Sequence, residues 1–474
     1  MAKYDYDMIV IGGGAAGLTG STACGSVGQK TLLIEKEEKL GGDCLHYGCV
    51  PSKTLIKSAY AYNVMRNAGK YGLPEVDLPK VDFKNVAARI RDVIDSIQVH
   101  DDPAALKEKY HVETRFGAPV FVDRHTITLN GQNITSKNFI LAMGSSPAVP
   151  SIEGIDAVPY LTNIEIFSLE KLPESLIVLG GGPIGAEMAQ AFSRLGTNVT
   201  VVEYAPDILP REDEDVSRYM REMLEKEGMK IFVGAKAVRV QKNASGVLLT
   251  VEQDGKKIQL EAETLLVAAG RKPNVDGAGL DKIGVVYDHR GVKVDQRMRT
   301  SVKNIYACGD LNGQFPFTHV AAYEAATSMM NAAFHLPFKV NYKNVPWCTY
   351  LDPEVASVGY NERRAKETGI SYTVHKEEIK NNDRAKAEGE RSGFIKLIIN
   401  KKGVLIGCQI VGYHAGDLIH EWIAAMNGKV SLNTIGNAVH AYPTMSEINK
   451  TASFNYFLNA SPWVKLRLLL NWRW

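Results

Sequence analysis

Four short apolar runs frame this chain. Met8-Ile9-Val10-Ile11, Thr31-Leu32-Leu33-Ile34, Leu176-Ile177-Val178-Leu179 and Val199-Thr200-Val201-Val202 read as strands. The first leads into Gly12-Gly13-Gly14-Ala15-Ala16-Gly17 and the third into Gly180-Gly181-Gly182-Pro183-Ile184-Gly185, each opening a predicted helix. The second run ends at Glu35 and the fourth at Glu203, each 23 residues after the first glycine of its motif. Further strands are predicted at Phe139-Ile140-Leu141-Ala142-Met143-Gly144 and before Gly270. The stretch 53–109 is helical by periodicity, broken near 69–79. From Val345 the pattern changes to alternating strands, such as Gly393–Ile399, followed by helices.

Strand, glycine turn, helix, strand and acid in this register form a dinucleotide fingerprint. The glycines permit a tight turn, close approach of backbone to a pyrophosphate and close packing of helix on strand, and the acid accepts hydrogen bonds from a ribose. Two fingerprints with equal spacing imply two dinucleotide sites in one chain.

Between the two units lies Gly41-Gly42-Asp43-Cys44-Leu45-His46-Tyr47-Gly48-Cys49-Val50-Pro51-Ser52-Lys53. Bridged Cα atoms must approach to about 4.4–6.8 Å, and Gly48 gives the loop the flexible point this requires. Pro51 suits a first helical turn, which puts Cys49 near a positive helix end where a thiolate is stabilised. One sulfur is then the thiolate and its neighbour the exchange partner. An inert disulfide or two buried thiols are the alternative, which the adjacent dinucleotide motif disfavours.

Composition narrows the field. A chain of 474 residues holds two to four domains, and a net charge of +2 without a basic, aromatic-interleaved stripe argues against nucleic acid. A strand within about eight residues of the start leaves no room for a secretory leader, and no apolar run reaches the roughly 20 residues of a spanning helix. Six cysteines with one close pair are no secreted framework. Cys24, Cys308, Cys348 and Cys408 are expected to be buried thiols, no metal site is expected, and the cytoplasm is the default compartment.

The chain resembles the flavin-dependent pyridine nucleotide–disulfide oxidoreductases, near dihydrolipoamide dehydrogenase and mercuric reductase. Besides the motifs above, the resemblance rests on Ala269-Gly270-Arg271-Lys272-Pro273-Asn274, Ile305-Tyr306-Ala307-Cys308-Gly309-Asp310 and Tyr442-Pro443-Thr444-Met445-Ser446-Glu447. It implies an α/β fold with two Rossmann-like domains, for FAD and NAD, and an α+β C-terminal dimerisation domain. The expected divisions are 1–150 (FAD, first part), 151–270 (NAD), 271–344 (FAD and central, second part) and 345–474 (interface of a homodimer whose subunits share active sites).

The same resemblance assigns residues. FAD falls to Gly12, Gly14, Ala15, Ala16, Gly17, Glu35, Lys36, Gly42, Asp43, Lys53, Gly117, Ala118, Met143, Gly144, Ser145, Asp310, Phe317, Thr318 and His319. Met143 stands where the family usually has threonine. The nicotinamide nucleotide falls to Gly180, Gly182, Pro183, Ile184, Gly185, Glu187, Glu203, Gly270 and Arg271. Glu203 favours NADH over NADPH, since a carboxylate repels a 2′-phosphate and Tyr204-Ala205-Pro206 adds no arginine. Lys53 lies four residues, one helical turn, after Cys49. The resemblance pairs it with Glu187 beside the flavin, two solvated charges being the alternative. Cys49 matches the flavin-facing sulfur and Cys44 the interchange sulfur.

The departure is at Tyr442. Dihydrolipoamide dehydrogenase has histidine there, a base toward the other subunit's interchange thiol, with Glu447 as its orienting carboxylate. Tyrosine, with a free pKa of about 10 against about 6.5, is a poor base at neutral pH; His440 is the nearest imidazole. Tyrosine is familiar here from mercuric reductases, yet this chain has no cysteine after Cys408 and no N-terminal Cys-x-x-Cys domain. The expected function is electron transfer from NADH through FAD and Cys44–Cys49 to an unassigned small-molecule acceptor: quinone, metal ion or small disulfide. The alternatives are a dihydrolipoamide dehydrogenase, or a flavin-binding partner or membrane protein with vestigial catalysis. The tail from Ser461, with Trp463, Trp472, Trp474, Lys465, Arg467 and Arg473 around leucines, fits either a peripheral anchor at the inner membrane face or a segment packed on the dimer.

Overall fold

The computed structural model describes residues 4–460 and 462–470. Strand Tyr6–Ile11 lies at the middle of a parallel array, between Thr31–Glu35 and Gln132–Leu141. Val112–Phe116 extends the array on one side and Ile305–Ala307 on the other. Apolar runs without alternation suit strands covered on both faces, and Met8, Ile9 and Val10 are fully buried. The outer half of Gln132–Leu141 pairs antiparallel with Thr126–Leu129, which pairs in turn with Val120–Asp123.

Register decides where the site lies. Ile11 pairs with Ile34 and Leu141, and Leu141 with Ala307. The residues that follow, Gly12, Glu35, Ala142 and Cys308, therefore line up along one edge of the sheet. Such a carboxyl edge, where the strand order reverses, is where open α/β sheets bind ligands.

The second parallel sheet repeats the plan. Its order is Lys230–Phe232, Asn198–Val202, Ser175–Leu179, Thr264–Val267, with a three-stranded antiparallel sheet beyond it. Gly180, Glu203 and Ala268 emerge from its carboxyl edge. The two connections between the units, Ser145–Pro147 and Arg271–Pro273, pair as a short antiparallel ribbon.

The predicted helical stretch is a set of three helices, Cys49–Arg66, Phe83–Gln98 and Pro103–Tyr110, with a 3₁₀ turn and irregular chain over 68–82. Leu55, Ala59, Phe83 and Ile90 from this set share a core with Ala186, Met188, Ala189 and Phe192 of helix Pro183–Leu195. That packing, with the Phe83 and Phe192 rings 5.6 Å apart, carries the redox helix onto the second nucleotide unit.

From Pro346 a five-stranded antiparallel sheet packs under helices Ala415–Gly428, Leu432–Asn437 and Glu447–Asn459. One expectation fails here. Residues 394–399 do not alternate between core and solvent; all six are buried. The face expected to be wet is covered in part by residues of the second nucleotide unit: Lys396, fully buried, holds Asp213 at 2.8 Å and Asp215 at 2.7 Å, and also Glu362 of its own domain at 2.7 Å. No helix among the described residues is long and apolar enough to cross a membrane. In the tail Trp463 and Leu466 are exposed on helix Pro462–Leu469; Ser461, Trp472, Arg473 and Trp474 lie outside the described residues.

Candidate active site

A cleft of about 2270 Å³ runs past the carboxyl edges of both parallel sheets and over the cysteine helix. At its ends the two fingerprints make the same turn. Gly12 has φ +108° and Gly180 φ +112°, and a Cβ on either would stand 2.3 or 2.5 Å from the carbonyl oxygen of Ala142 or Ala268. Glycine is required at both. The helices that follow, Ala15–Ser26 and Pro183–Leu195, start from Gly14 and Gly182 without a side-chain cap. First-turn N–H groups left uncapped at a cleft wall, with the positive end of the helix dipole behind them, fit a pyrophosphate.

Glu35 and Glu203 are held alike. Glu35 accepts from Gly13 N at 2.6 Å and Glu37 N at 2.9 Å. Glu203 accepts from Gly181 N and Ala205 N, both at 2.6 Å. Each carboxylate thus closes its own turn and presents its remaining lone pairs to the cleft, as ribose hydroxyls require.

Between the ends stands the redox centre. Helix Gly42–His46 and the turn at Gly48 carry the chain back so that Cys49 opens the next helix. Cys44 and Cys49 are free thiols in hydrogen-bond contact. Cys49 is pulled down to about 6, first by the hydrogen bond with Cys44, then by Thr318 Oγ1 and the Lys53 ammonium, against the penalty of burial and the charge of Glu187. Cys44 is driven the other way, by that same hydrogen bond and by burial. The reduced pair is therefore asymmetric, with a thiolate at Cys49 and a thiol at Cys44.

Lys53 and Glu187 meet at 2.8 Å; the Glu187 carboxylate is nearly buried and also accepts from Tyr350 N at 2.8 Å. The Lys53 ammonium lies 4.5 Å from the centre of the Tyr350 ring. At the hinge ribbon, Arg271 donates to Ser145 Oγ at 2.7 Å and to Ser145 O at 2.8 Å, and pairs with Asp43 at 3.2 Å and Asp310 at 3.6 Å. Ser145 Oγ donates to Asp310 at 2.5 Å, so a serine supplies the hydroxyl that Met143 lacks. Met143 instead packs partly into the core.

Of the residues proposed from sequence, the cleft brings together Gly12, Gly14, Ala15, Ala16, Glu35, Lys36, Gly42, Asp43, Cys44, Cys49, Lys53, Ala118, Met143, Gly144, Ser145, Gly180, Gly182, Pro183, Ile184, Glu187, Glu203, Gly270, Arg271, Asp310, Phe317, Thr318 and His319. Gly17, Gly117 and Gly185 lie off its wall. Gly17 and Gly185 pack helix on turn, and Gly117 N donates to Glu35 O at 2.8 Å behind the acid. Cys348 corrects an expectation: unlike Cys24 and Cys408 it is only half-buried and lies on the cleft wall, because its edge strand, Pro346–Thr349, runs into Tyr350 beside Lys53. Cys308, though fully buried, also reaches that wall. Sequence reasoning missed Tyr350 and also Asn163, which donates to Asp43 Oδ1 at 3.1 Å and Tyr47 O at 2.9 Å and so staples the cysteine loop. Neither sits in a motif.

Tyr442 and Glu447 lie away from this chain's own cleft. Tyr442 is 71% exposed, and its hydroxyl donates to Asp383 Oδ2 at 3.2 Å, which raises its pKa further. Glu447 opens helix Glu447–Asn459 and accepts from Thr444 N at 3.5 Å. His440 is turned elsewhere: its Nε2 lies 3.1 Å from Glu421 Oε1 and its Nδ1 3.2 Å from Ala438 O. Glu421 in turn accepts from Asn449 at 2.8 Å.

Comparison with known proteins agrees with this geometry. The pyridine nucleotide-disulphide oxidoreductase pattern matches residues 6–325, and that family's dimerisation domain matches 345–453. Dihydrolipoyl dehydrogenase of Geobacillus stearothermophilus is 35% identical over 456 residues, covering 95% of this chain and 96% of that protein. Mercuric reductase of Staphylococcus aureus is 33% identical over 454 residues, 95% of this chain and 82% of that one. Among solved structures, the Cu(II) complex of the HOCl-induced flavoprotein disulfide reductase RclA from Escherichia coli superposes with a TM-score of 0.84 at 25% identity, covering 96% and 100% of the two chains. With both nucleotide units and the interface domain matched, the chain belongs to the pyridine nucleotide–disulfide oxidoreductases, FAD-dependent enzymes that work with NAD(P)H and carry a dimerisation domain.

Proposed function

We propose that this enzyme passes electrons from NADH, through FAD and the Cys44–Cys49 pair, to a thiol-seeking metal ion such as Cu(II), and not to lipoamide. The observation that carries the reading is Tyr442. The position that holds a base in dihydrolipoamide dehydrogenases holds a phenol, bound to Asp383 with its pKa raised. The nearest imidazole, His440, has both ring nitrogens against acceptors. An acceptor that binds thiolate directly needs no such base, and the Cu(II) complex of the Escherichia coli reductase and the mercuric reductases supply the precedent for metal ions at this fold.

FAD, when bound, supplies the two-electron relay between nicotinamide and disulfide. The chain's own residues do the rest. Glu203 selects the nucleotide by its ribose, and Gly12, Gly180 and the two uncapped helix ends hold the pyrophosphates. Lys53, fixed by Glu187, places a positive charge beside the thiolate. Overall, NADH and the disulfide give NAD⁺, a Cys49 thiolate and a Cys44 thiol. Two Cu(II) ions then take one electron each, the disulfide re-forms and one proton is released. The family's shared dimer site implies that Tyr442 and Asp383 of one subunit face Cys44 of the other, where the Asp383 carboxylate attracts a cationic acceptor.

Steady-state oxidation of NADH against lipoamide, a quinone, Cu(II), Hg(II) and oxygen tests this. Cu(II) or Hg(II) should be reduced fastest and lipoamide slowly. Rapid lipoamide turnover that disappears in His440→Ala would establish the second reading, a dihydrolipoamide dehydrogenase, which the His440–Glu421 pair and the similarity to such enzymes favour.

A further inference from the structure

Helix Glu447–Asn459 gives way at Ala460 to helix Pro462–Leu469, and together they put large apolar side chains into solvent. Phe454 and Leu458 stand one turn apart on the first helix, Trp463 and Leu466 one turn apart on the second. Leu470 donates its N–H to Leu466 O at 3.0 Å, so the row continues one turn further. Each of the five is between 46% and 59% exposed. The domain core is served by a different row of the first helix, since Ile448 and Ala452 share a core with Trp422. The exposed row is therefore a second apolar face, beyond what packing of the helix requires.

Charge sets the same stretch apart. The whole chain is balanced, with 55 Lys and Arg against 53 Asp and Glu. From Ile448 to Trp474 there are four cations, Lys450, Lys465, Arg467 and Arg473, and no Asp or Glu. Three of the chain's five tryptophans, Trp463, Trp472 and Trp474, fall there too. Lys450, four residues before Phe454, stands on the same helical row.

A second copy of this stretch would set four cations against four, and like charges across an interface count against pairing. The family's dimerisation pattern, moreover, ends at residue 453, one position before Phe454. Leucine and tryptophan edged by cations, without acids, suit the boundary of an anionic bilayer. The apolar groups enter the acyl edge while ammonium and guanidinium groups stay with the phosphates.

We propose that the face formed by Phe454, Leu458, Trp463, Leu466 and Leu470 docks this enzyme on a membrane surface rich in anionic phospholipid headgroups. The contact is peripheral, because no helix among the described residues is long and apolar enough to cross a membrane. Apolar burial and headgroup attraction act together, and each cation near the surface strengthens binding about fivefold at moderate salt. The inference is independent of which acceptor the enzyme reduces.

The test mixes the FAD-loaded enzyme with sucrose-loaded vesicles, either phosphatidylcholine alone or with about one third phosphatidylglycerol. Co-sedimentation measures binding. Tryptophan emission reports insertion of this stretch, because Trp347 and Trp422 are buried in the protein. The wild type should sediment with the anionic vesicles at least about tenfold more tightly than with the neutral ones, with a blue shift in emission, and should come off as salt is raised. Trp463→Ser with Leu466→Ser should abolish binding, and Lys465→Gln with Arg467→Gln should weaken it by about tenfold or more. Both should keep FAD and be reduced by NADH at the wild-type rate. Leu470→Ser, beyond the last helical residue, reads the same face if the double serine variant does not fold. Failure of the wild type to bind, or equal binding to both vesicles, overturns the proposal. A serine variant that turns a wild-type dimer into monomers on size-exclusion chromatography also overturns it, and gives the face to subunit pairing.

Discussion

The two nucleotide units are built on one plan and differ in how far they close. Glycine turn, uncapped helix end and acid with two backbone hydrogen bonds are common to both, down to the 2.6 Å bonds from Gly13 to Glu35 and from Gly181 to Glu203. Around the first, Glu35 is buried at 7% exposure, and Gly42, at φ +59°, brings the cysteine loop down onto Gly14. Around the second, Tyr204 is 76% exposed, Ile184 is 40% exposed, and a Cβ on Gly182 would meet nothing within 4 Å. A walled site suits a cofactor that stays and an open one suits a nucleotide that must leave each cycle. The same backbone device thus serves a prosthetic group and a co-substrate, and the difference lies in the neighbours.

Substituting the two equivalent glycines should separate the roles most sharply. Gly12→Ala puts a Cβ against the Ala142 carbonyl in the walled unit and should give colourless, poorly folded protein. Gly180→Ala makes the matching clash in the open unit and should leave the protein yellow, while flavin reduction by NADH slows by about a hundredfold or more, as about 3 kcal/mol of strain and lost binding implies. Absorbance at purification and stopped-flow reduction read the two outcomes; loss of FAD from both variants would break the comparison.

The redox pair sits where the two units meet, and its ionisation gives the next effect. Since the Cys49 pKa is lowered, the charged form dominates above about pH 6, and the thiolate-to-flavin band of the reduced enzyme should fade as pH falls through that value. Cys49→Ser should remove the band at every pH. Cys44→Ser should show it without any reductant. A spectrophotometric titration decides.

How much of this was legible in the sequence follows from the range of the forces involved. Gly12, Glu35, Gly180 and Glu203 were readable because strand, turn, helix and strand are local and each needs its own residue type. Lys53 was readable as one turn from Cys49, and its partner Glu187 only through family resemblance. Tyr350, Asn163 and the burial of Lys396 were not, because contacts across 100 or more residues have no local signature. The alternation over 393–399 misled for the same reason: nothing near Lys396 in sequence announces that Asp213 and Asp215 will cover it.

The region around Tyr442 lies outside both walled and open sites of its own chain, and exchanging it should change the acceptor without touching either. Tyr442→His should raise lipoamide reduction by about tenfold or more, since a positioned general base contributes at least about a hundredfold when its geometry is right. NADH oxidation with Cu(II) should change far less. Lipoamide assays on both proteins at pH 7 provide the check, and equal rates would show that proton removal at residue 442 does not limit the wild type.

The smallest expected effect concerns nucleotide choice, and it returns to the two acids. Glu35 and Glu203 make the same pair of hydrogen bonds, so neither has spare freedom to swing away from an incoming phosphate. At the open unit a 2′-phosphate would meet the Glu203 carboxylate, and Tyr204-Ala205-Pro206 brings no arginine to offset it. One such conflict costs about 1.4 kcal/mol, which sets NADH above NADPH by about tenfold in kcat/KM. Glu203→Ala should lower efficiency with both nucleotides, because the turn at Gly181 loses its acceptor, yet should bring their ratio toward one. The ratio is therefore the quantity to measure. A wild-type ratio near one would mean that the openness of this unit lets a 2′-phosphate turn into solvent, and that the walls around a site, not its acid, set selectivity in this molecule.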